Sequence, residues 1–455
     1  MTKAGVRRGL AASIATLTMA VLPATAMGGE AHVENIGGVT VIVFTGAPGE
    51  KQSLVVDRDP GFTGDQYQLN DQDNNVTAGP GCQQGVRQPF GTPEPKIVRC
   101  GSSATTIRVN LGDGDDSVRF GNLSGHAITD VVDGADGNDR LDTGPGDGLA
   151  TGGPGDDTID TNGGNDEILA GDGNDDVLAG PGSDSVNGEG GNDKILGHAK
   201  PDTNEIGIVT DFRAGDVNIL MGGSGADTIV GDNGTDEIHG DAGNDNLAGA
   251  GGPDTINGGA GNDTMNEGDT PGDPNGIKPA GPLAPDTIRG GAGTDTATYC
   301  TRYYPGSDGR KHPLTITLDN KGNDGEKGEK DNIGPAGDVE NVLGGGVTPD
   351  TITGNAKANE LTGDCIVTVT GSANNKLYGG SGGDKLVGGR ANDLLNGGKG
   401  ADRFLGNEGA DTIQAKDGAR DKSINCDGFG VKSNKDVATI DGSDPSATNC
   451  DKLRR

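Results

Sequence analysis

Aspartate recurs every nine residues through long stretches of this chain, and a ladder of carboxylates is suited above all to holding hard cations. Residues 134–196 divide without a gap into seven nine-residue units, among them GGPGDDTID (152–160), AGDGNDDVL (170–178) and AGPGSDSVN (179–187). A second run of five units covers 222–266 and a third of five covers 370–414, with partial units at 111–119, 281–298 and 345–362. That makes about twenty-two units, enough to define a repeat architecture. If two units make one turn of a coil, residues eighteen apart stack. Asp139, Asp157, Asp175 and Asp193 then line one edge, and Asp166, Asp184 and Asp202 the other. Alone, such rows repel. A cation between successive turns would meet two carboxylates and several turn carbonyls, an all-oxygen set of about six to eight donors that suits calcium rather than zinc.

The shared pattern, G-G-x-G-x-D-x-U-x with U aliphatic, also specifies the elements that must position those carboxylates. Glycine in the first, second and fourth places permits tight turns and exposes backbone carbonyls. The x-U-x triplet is a minimal strand with one side chain inward and two outward. The expected inward rows are Leu141, Ile159, Val177 and Ile195 on one sheet, with Ile168 and Val186 on the other. That core is one aliphatic layer per strand, too thin to offset the ordering entropy of so many glycines, so bound cations are expected to supply the rest.

These units resemble the RTX, or hemolysin-type, calcium-binding repeat over more than half the chain beyond its leader. The resemblance implies an all-β fold, a right-handed parallel β-roll (β-solenoid), here with small disulfide-tied β caps. It also implies that the sixth-position aspartate is the side-chain ligand. Carried over residue by residue, the expected ligands are Asp116, Asp139, Asp157, Asp166, Asp175, Asp184, Asp193, Asp227, Asp236, Asp245, Asp254, Asp263, Asp295, Asp350, Asp384, Asp393, Asp402 and Asp411. Counting intervals within three separate runs gives about eleven calcium ions. Some units depart from the pattern. Gly148 stands at a ligand place, Asn359 and Asn375 replace aspartate, Lys200-Pro201 spoils the turn before Asp202, and Thr348 replaces a turn glycine. Those sites are expected to be weak or empty.

Composition agrees. Of 455 residues 87 are Gly, only 30% are apolar, 3% are aromatic and Trp is absent, so conventional aliphatic cores are excluded. Glycine does not recur at every third position, which excludes collagen. The net charge of −33 argues against nucleic acid and anionic membranes as partners. Residues 1–26 read as a secretory leader: Lys3, Arg7 and Arg8, then an apolar stretch over 10–22, then Ala24-Thr25-Ala26. Its removal would leave a net charge near −36, which about eleven divalent ions would reduce to about −14, so the ion-free chain is expected to be largely unfolded. Export also permits disulfides. The six cysteines allow fifteen pairings. Local loops favour Cys82–Cys100 and Cys426–Cys450, leaving Cys300 and Cys365.

Outside the repeats, residues 27–110 read as a β cap and 415–455 as a C-terminal cap with strands near 422–426 and 436–440. The repeats at 111–298 are interrupted by loops at 197–221 and 267–280, and a longer insertion at 299–344 precedes the repeats at 345–414. That insertion carries YCTRYYP and a strand, LTITL, at 314–318. Catalytic constellations do not emerge. The one G-x-S-x-G, at 379–383, lies in a repeat turn and not between a strand and a helix. His32, His126, His198, His239 and His312 have no partner spacing, and there is no H-E-x-x-H. The expectation is a secreted calcium-binding protein with a structural or adhesive role, its partner a cell-surface glycan or protein. The alternatives are a polysaccharide-modifying enzyme working on the solenoid and a partner-binding module centred on 299–344.

Overall fold

The computed structural model describes residues 29–58, 67–87, 92–101, 104–121, 123, 128–197, 216–232, 234–266, 284–299, 313–327, 329–334, 338–345, 348–364, 373–428 and 435–455. Residues 1–26, expected to be a leader, and Asp202, Lys200-Pro201, Cys300 and Cys365 lie outside the described residues.

Each x-U-x triplet is a strand, and it pairs in parallel with the triplet eighteen residues on. Leu141 lies opposite Ile159, Ile159 opposite Val177, and Val177 opposite Ile195. On the facing sheet Ala150, Ile168 and Val186 align in the same way. All seven side chains are fully buried, while the residues flanking each one are half-buried or exposed. Two units therefore close one coil, and the core is the single aliphatic layer expected from the repeat. Among the described residues there is no helix. The two sheets are not equivalent. Strands on the first are mostly three residues long, such as Thr158–Asp160. On the second they run on into the turn, as in Glu167–Asp172, where Gly171 still pairs with Glu189.

The turn glycines have different reasons. In the fourth place Gly155 has φ 146°, and a Cβ there would strike the carbonyl of Gly137 one turn away. That backbone region is open essentially to glycine alone. In the second place φ lies nearer the left-handed helical value, and Ala135 (72°), Asn162 (61°), Glu189 (68°) and Asp241 (67°) occupy it. That value is open to residues with a side chain, which is why these four are accommodated there.

Insertions leave the stack intact. Val186 pairs directly with Leu220 and Ile195 with Ile229, so the coil resumes at Ile219 rather than after the loop expected at 197–221. Ile256 likewise pairs with Ile288 across the second loop. The segment read as an insertion at 299–344 is largely built into the coil. Asn332–Ile333 and Asn341–Leu343 pair in parallel with the strands at Thr287–Gly293 and Thr296–Thr298. Leu314–Thr317 starts a new eight-stranded sheet through Thr351–Thr353. One sheet of the roll thus breaks here, whereas the other passes through from Asn341–Leu343 to Glu360–Thr362. Nonapeptide spacing could not disclose these rungs, because their turns lack the glycine pattern.

The ends differ from one another. At the N-terminus antiparallel pairs (Gly29–Ile36 with Val39–Thr45, and Tyr67–Asp71 with Ser53–Arg58) feed into parallel pairing with Thr106–Asn110 and Ser117–Phe120. The Cys82–Cys100 disulfide ties the adjoining hairpin. At the C-terminus Ser423–Asn425, Val437–Thr439 and Lys452–Arg454 continue the roll as further parallel rungs, stapled by Cys426–Cys450.

Because each rung contributes one inward side chain, a truncation there has no neighbour able to fill the gap. Ile159→Ala is expected to cost about 2–5 kcal/mol in calcium-saturated denaturant titrations. A loss under about 1 kcal/mol would show that the layer is not close-packed.

Candidate metal columns

The strand-turn geometry brings every expected ligand from Asp116 to Asp411 to the junction of turn and strand, and all eighteen are buried, at 0–3% exposure. Within a column, one carboxylate oxygen is committed. The backbone N–H of Asp139 donates to Asp157 Oδ1 (2.7 Å), that of Asp157 to Asp175 Oδ1 (2.7 Å), and that of Asp175 to Asp193 Oδ1 (2.9 Å). The second column repeats this from Asp166 to Asp184 Oδ1 (2.9 Å). The other oxygen, Oδ2, has no hydrogen-bond partner in Asp116, Asp139, Asp157, Asp166, Asp175, Asp184, Asp193, Asp227, Asp245, Asp254, Asp263, Asp295, Asp384, Asp393 or Asp411. A buried carboxylate oxygen without a donor is costly, so a repeated one asks for a cation.

Where the first place holds glycine, the missing side chain makes room for that oxygen, whereas Thr161, Ala170 and Ala179 stand there in the units of Asp166, Asp175 and Asp184. A Cβ on Gly152 would collide with both Asp157 Oδ2 and the carbonyl of Ala170 in the next turn; Gly188 and Gly240 stand in the same relation to Asp193 and Asp245. The carboxylate oxygen and a turn carbonyl of the following layer thus converge where a side chain is missing. Among the described residues no three His, Cys, Asp or Glu side chains cluster as a metal site. The donor set is therefore one carboxylate per layer, layers about 4.8 Å apart, completed by backbone carbonyls: hard oxygen donors that fit calcium.

Burial without a counter-charge shows in the titration of these groups. Desolvation is the main cause and neighbouring column aspartates add to it, against the backbone N–H bond, which lowers the value. Asp157 and Asp193 are pushed up to about 7, Asp184 and Asp393 to about 8, and Asp254 to about 9.

The columns are longer than the repeat runs. Asp193 N–H donates to Asp227 Oδ1 (2.7 Å) across 34 residues, and Asp263 N–H to Asp295 Oδ1 (3.0 Å) across 32. One continuous column therefore runs from Asp116 to Asp295. Sequence spacing missed several members. Asn218 and Asp286 accept from Asp184 and Asp254, Asp331 from Asp286, Asp421 from Asp402, and Asp436 from Asp411. Asp130 stands one turn before Gly148, 1% exposed with Oδ1 unpartnered. A stacking-distance search without the glycine requirement would have found Asp130, because it lies eighteen residues before Gly148.

Two expected ligands are used differently. Asp236 accepts N–H bonds on both oxygens, from Asn218 (3.0 Å) and Asp232 (2.9 Å). Asp350 does the same with Leu314 (3.0 Å) and Gly345 (2.8 Å). At Asn375 an amide nitrogen takes the place of the free oxygen and donates to Asp364 Oδ1 (2.7 Å). The Lys422 ammonium lies beside Asp384 and Asp402 and opposes the rise of their carboxyls.

A second ladder, of opposite sense, runs outside the first. Fifth-place residues accept from the following turn: Asn138 Oδ1 from Asp156 N–H (2.8 Å), Asp156 Oδ1 from Asn174 N–H (2.8 Å), and Asn174 Oδ1 from Asn192 N–H (3.0 Å). Where the fifth place holds Asn or Asp, the layer boundary is thus crossed in both directions by adjacent residues, which pins the eighteen-residue register.

The profile of the RTX calcium-binding nonapeptide repeat (4 copies) matches residues 123–150, 142–177, 151–186, 169–203, 214–247, 239–266, 285–298 and 370–418. These are RTX calcium-binding nonapeptide repeats. The matched segments coincide with the columns whose Oδ2 atoms lack donors, and they are calcium-binding repeats built into a parallel β-roll. No curated protein matches the chain. The columns reach beyond the matched residues at both ends, to Asp116 and to Asp436, because layer stacking does not require the glycine consensus.

Proposed function

We propose that this RTX chain is an exported rod that folds when it meets calcium, with a structural or adhesive role outside the cell and a glycan or protein of a cell surface as its partner. The observation that carries the calcium-dependent folding is the file of buried, donor-less Oδ2 atoms running through consecutive layers. A coil with one aliphatic layer and uncompensated carboxylates lacks the means to hold itself; cations between layers supply them. Since the columns continue across the loops, interlayer sites outnumber the about eleven obtained from three separate runs. The leader-like residues 1–26 support export, where calcium is plentiful. A non-enzymatic role fits the use of the buried column carboxylates, which are committed to layer junctions.

The test is far-UV circular dichroism of the purified chain titrated with calcium, with magnesium as control. The expected result is a cooperative gain of β signal with calcium alone, at about 0.1–1 mM as for extracellular modules. A β spectrum already complete in chelator would overturn calcium-driven folding.

A further inference from the structure

The junction between the N-terminal cap and the first coil has a cation site that no repeat consensus describes. Residues 46–54, Gly46-Ala47-Pro48-Gly49-Glu50-Lys51-Gln52-Ser53-Leu54, form a repeat-like turn with one residue inserted and glutamine at the ligand place. The turn stacks on 111–119 as repeat turns stack on one another. Gly46 N–H donates to Asn110 O (2.8 Å), and Gln52 N–H donates to Asp116 Oδ1 (2.6 Å), the bond that sixth-place aspartates make elsewhere. A Cβ on Gly46 would strike the Leu111 carbonyl, as one on Gly152 would strike that of Ala170.

On the far side of Gln52 the next strand is antiparallel, and it delivers Asp71. Its Oδ1 accepts three backbone N–H groups, from Ser53 (3.3 Å), Asp73 (2.9 Å) and Asn74 (3.1 Å). Three oxygens then remain without donors in side chains that are 0–3% exposed: Gln52 Oε1, Asp71 Oδ2 and Asp116 Oδ2. The Asp71 charge is near enough to Asp116 to raise its carboxyl. A neutral amide oxygen placed between two carboxylates, all buried and without protein donors, makes a hard-oxygen set that one cation would satisfy together.

We propose that Gln52, Asp71 and Asp116 form a calcium site that locks the N-terminal cap onto the first coil. It rests on the calcium-binding reading of the columns but lies outside the matched repeats. Glutamine weakens the donor charge of this layer, and Asp71, recruited from a strand that is not part of the coil, restores it. The site would make docking of the cap on the first coil calcium-dependent.

The experiment measures calcium bound per chain, by plasma mass spectrometry after dialysis at fixed free calcium, together with thermal unfolding, for the full chain and two variants. Asp71→Asn keeps an oxygen for the three N–H groups and is expected to lose one ion per chain while the rest stay bound. Gln52→Glu adds a charge and is expected to keep the full count and to lower the calcium concentration needed for cap docking at least about threefold. The proposal is overturned if Asp71→Asn binds as many ions as the parent chain. It is also overturned if Gln52→Glu melts lower in saturating calcium, as it would were the glutamine amide turned to donate to both carboxylates with no ion present. Should Asp71→Asn fail to fold, Gln52→Glu decides alone. A parent chain that binds no calcium would instead sink the reading of the columns as a whole.

Discussion

Acidification is expected to act in opposite directions with and without calcium. In the ion-free coil the column carboxyls are raised, Asp157 and Asp193 to about 7 and Asp184 to about 8, chiefly by burial. In the unfolded chain they titrate near 3.9. Between about pH 4 and 8 the folded form therefore holds more protons than the unfolded one, and its stability falls as pH rises through that window. The ion-free coil is most stable below about pH 4, where both forms are protonated. Calcium inverts the order: binding expels those protons, so the loaded coil is favoured at pH 8 and loses its ions as the pH falls toward 6. In chelator the β signal should grow on going from pH 7.5 to 4.5. At fixed calcium the folding midpoint should move to higher calcium by about tenfold between pH 7.5 and 5.5, with proton release seen in weakly buffered calorimetry. Midpoints that do not move with pH would mean that the column carboxylates are ionised without the ion, and that something else neutralises them.

What could be read directly from the residues was whatever repeats. The sixth-place aspartates, the inward aliphatic rows and the eighteen-residue layer all follow from the period, because Leu141, Ile159, Val177 and Ile195 can share a face only if two units close one coil. Elements that obey the coil without obeying the consensus were not legible. Ile219 resumes the roll inside an expected loop because a layer needs only one inward side chain and one hydrogen-bonding partner at its turn, which Asn218 provides. Asn332–Ile333 and Asn341–Leu343 enter the stack for the same reason. Asp71 was beyond reach, since an antiparallel hairpin brings it to the column and no spacing rule anticipates that. The outer ladder did leave a trace, the recurring Asn-Asp pair of Asn174-Asp175, Asn192-Asp193, Asn244-Asp245 and Asn262-Asp263. Its meaning, two adjacent side chains bonding to opposite neighbours, appears only once the layers are stacked.

The sharpest contrast within the columns is between two aspartates that the repeat consensus treats alike. Asp175 lies in mid-column, between Asp157 and Asp193, with Oδ1 accepting the Asp157 N–H and Oδ2 free of any donor. Asp236 occupies the same place in its unit, but backbone N–H groups of Asn218 and Asp232 occupy both of its oxygens. An amide in place of the first carboxylate keeps the ladder bond and removes charge from the layers on either side. Asp175→Asn is therefore expected to weaken two adjacent calcium sites by at least about tenfold each, and to shift the folding midpoint to higher calcium. Asp236→Asn is expected to leave the number of bound ions unchanged, and to destabilise the loaded chain by about 1–3 kcal/mol through a buried amide N–H facing the N–H of Asp232. Equilibrium dialysis with radioactive calcium, paired with denaturant titration, separates the two effects. Equal losses of calcium in both variants would mean that the consensus position alone makes a ligand, and that the free oxygen has no bearing on where the ions sit.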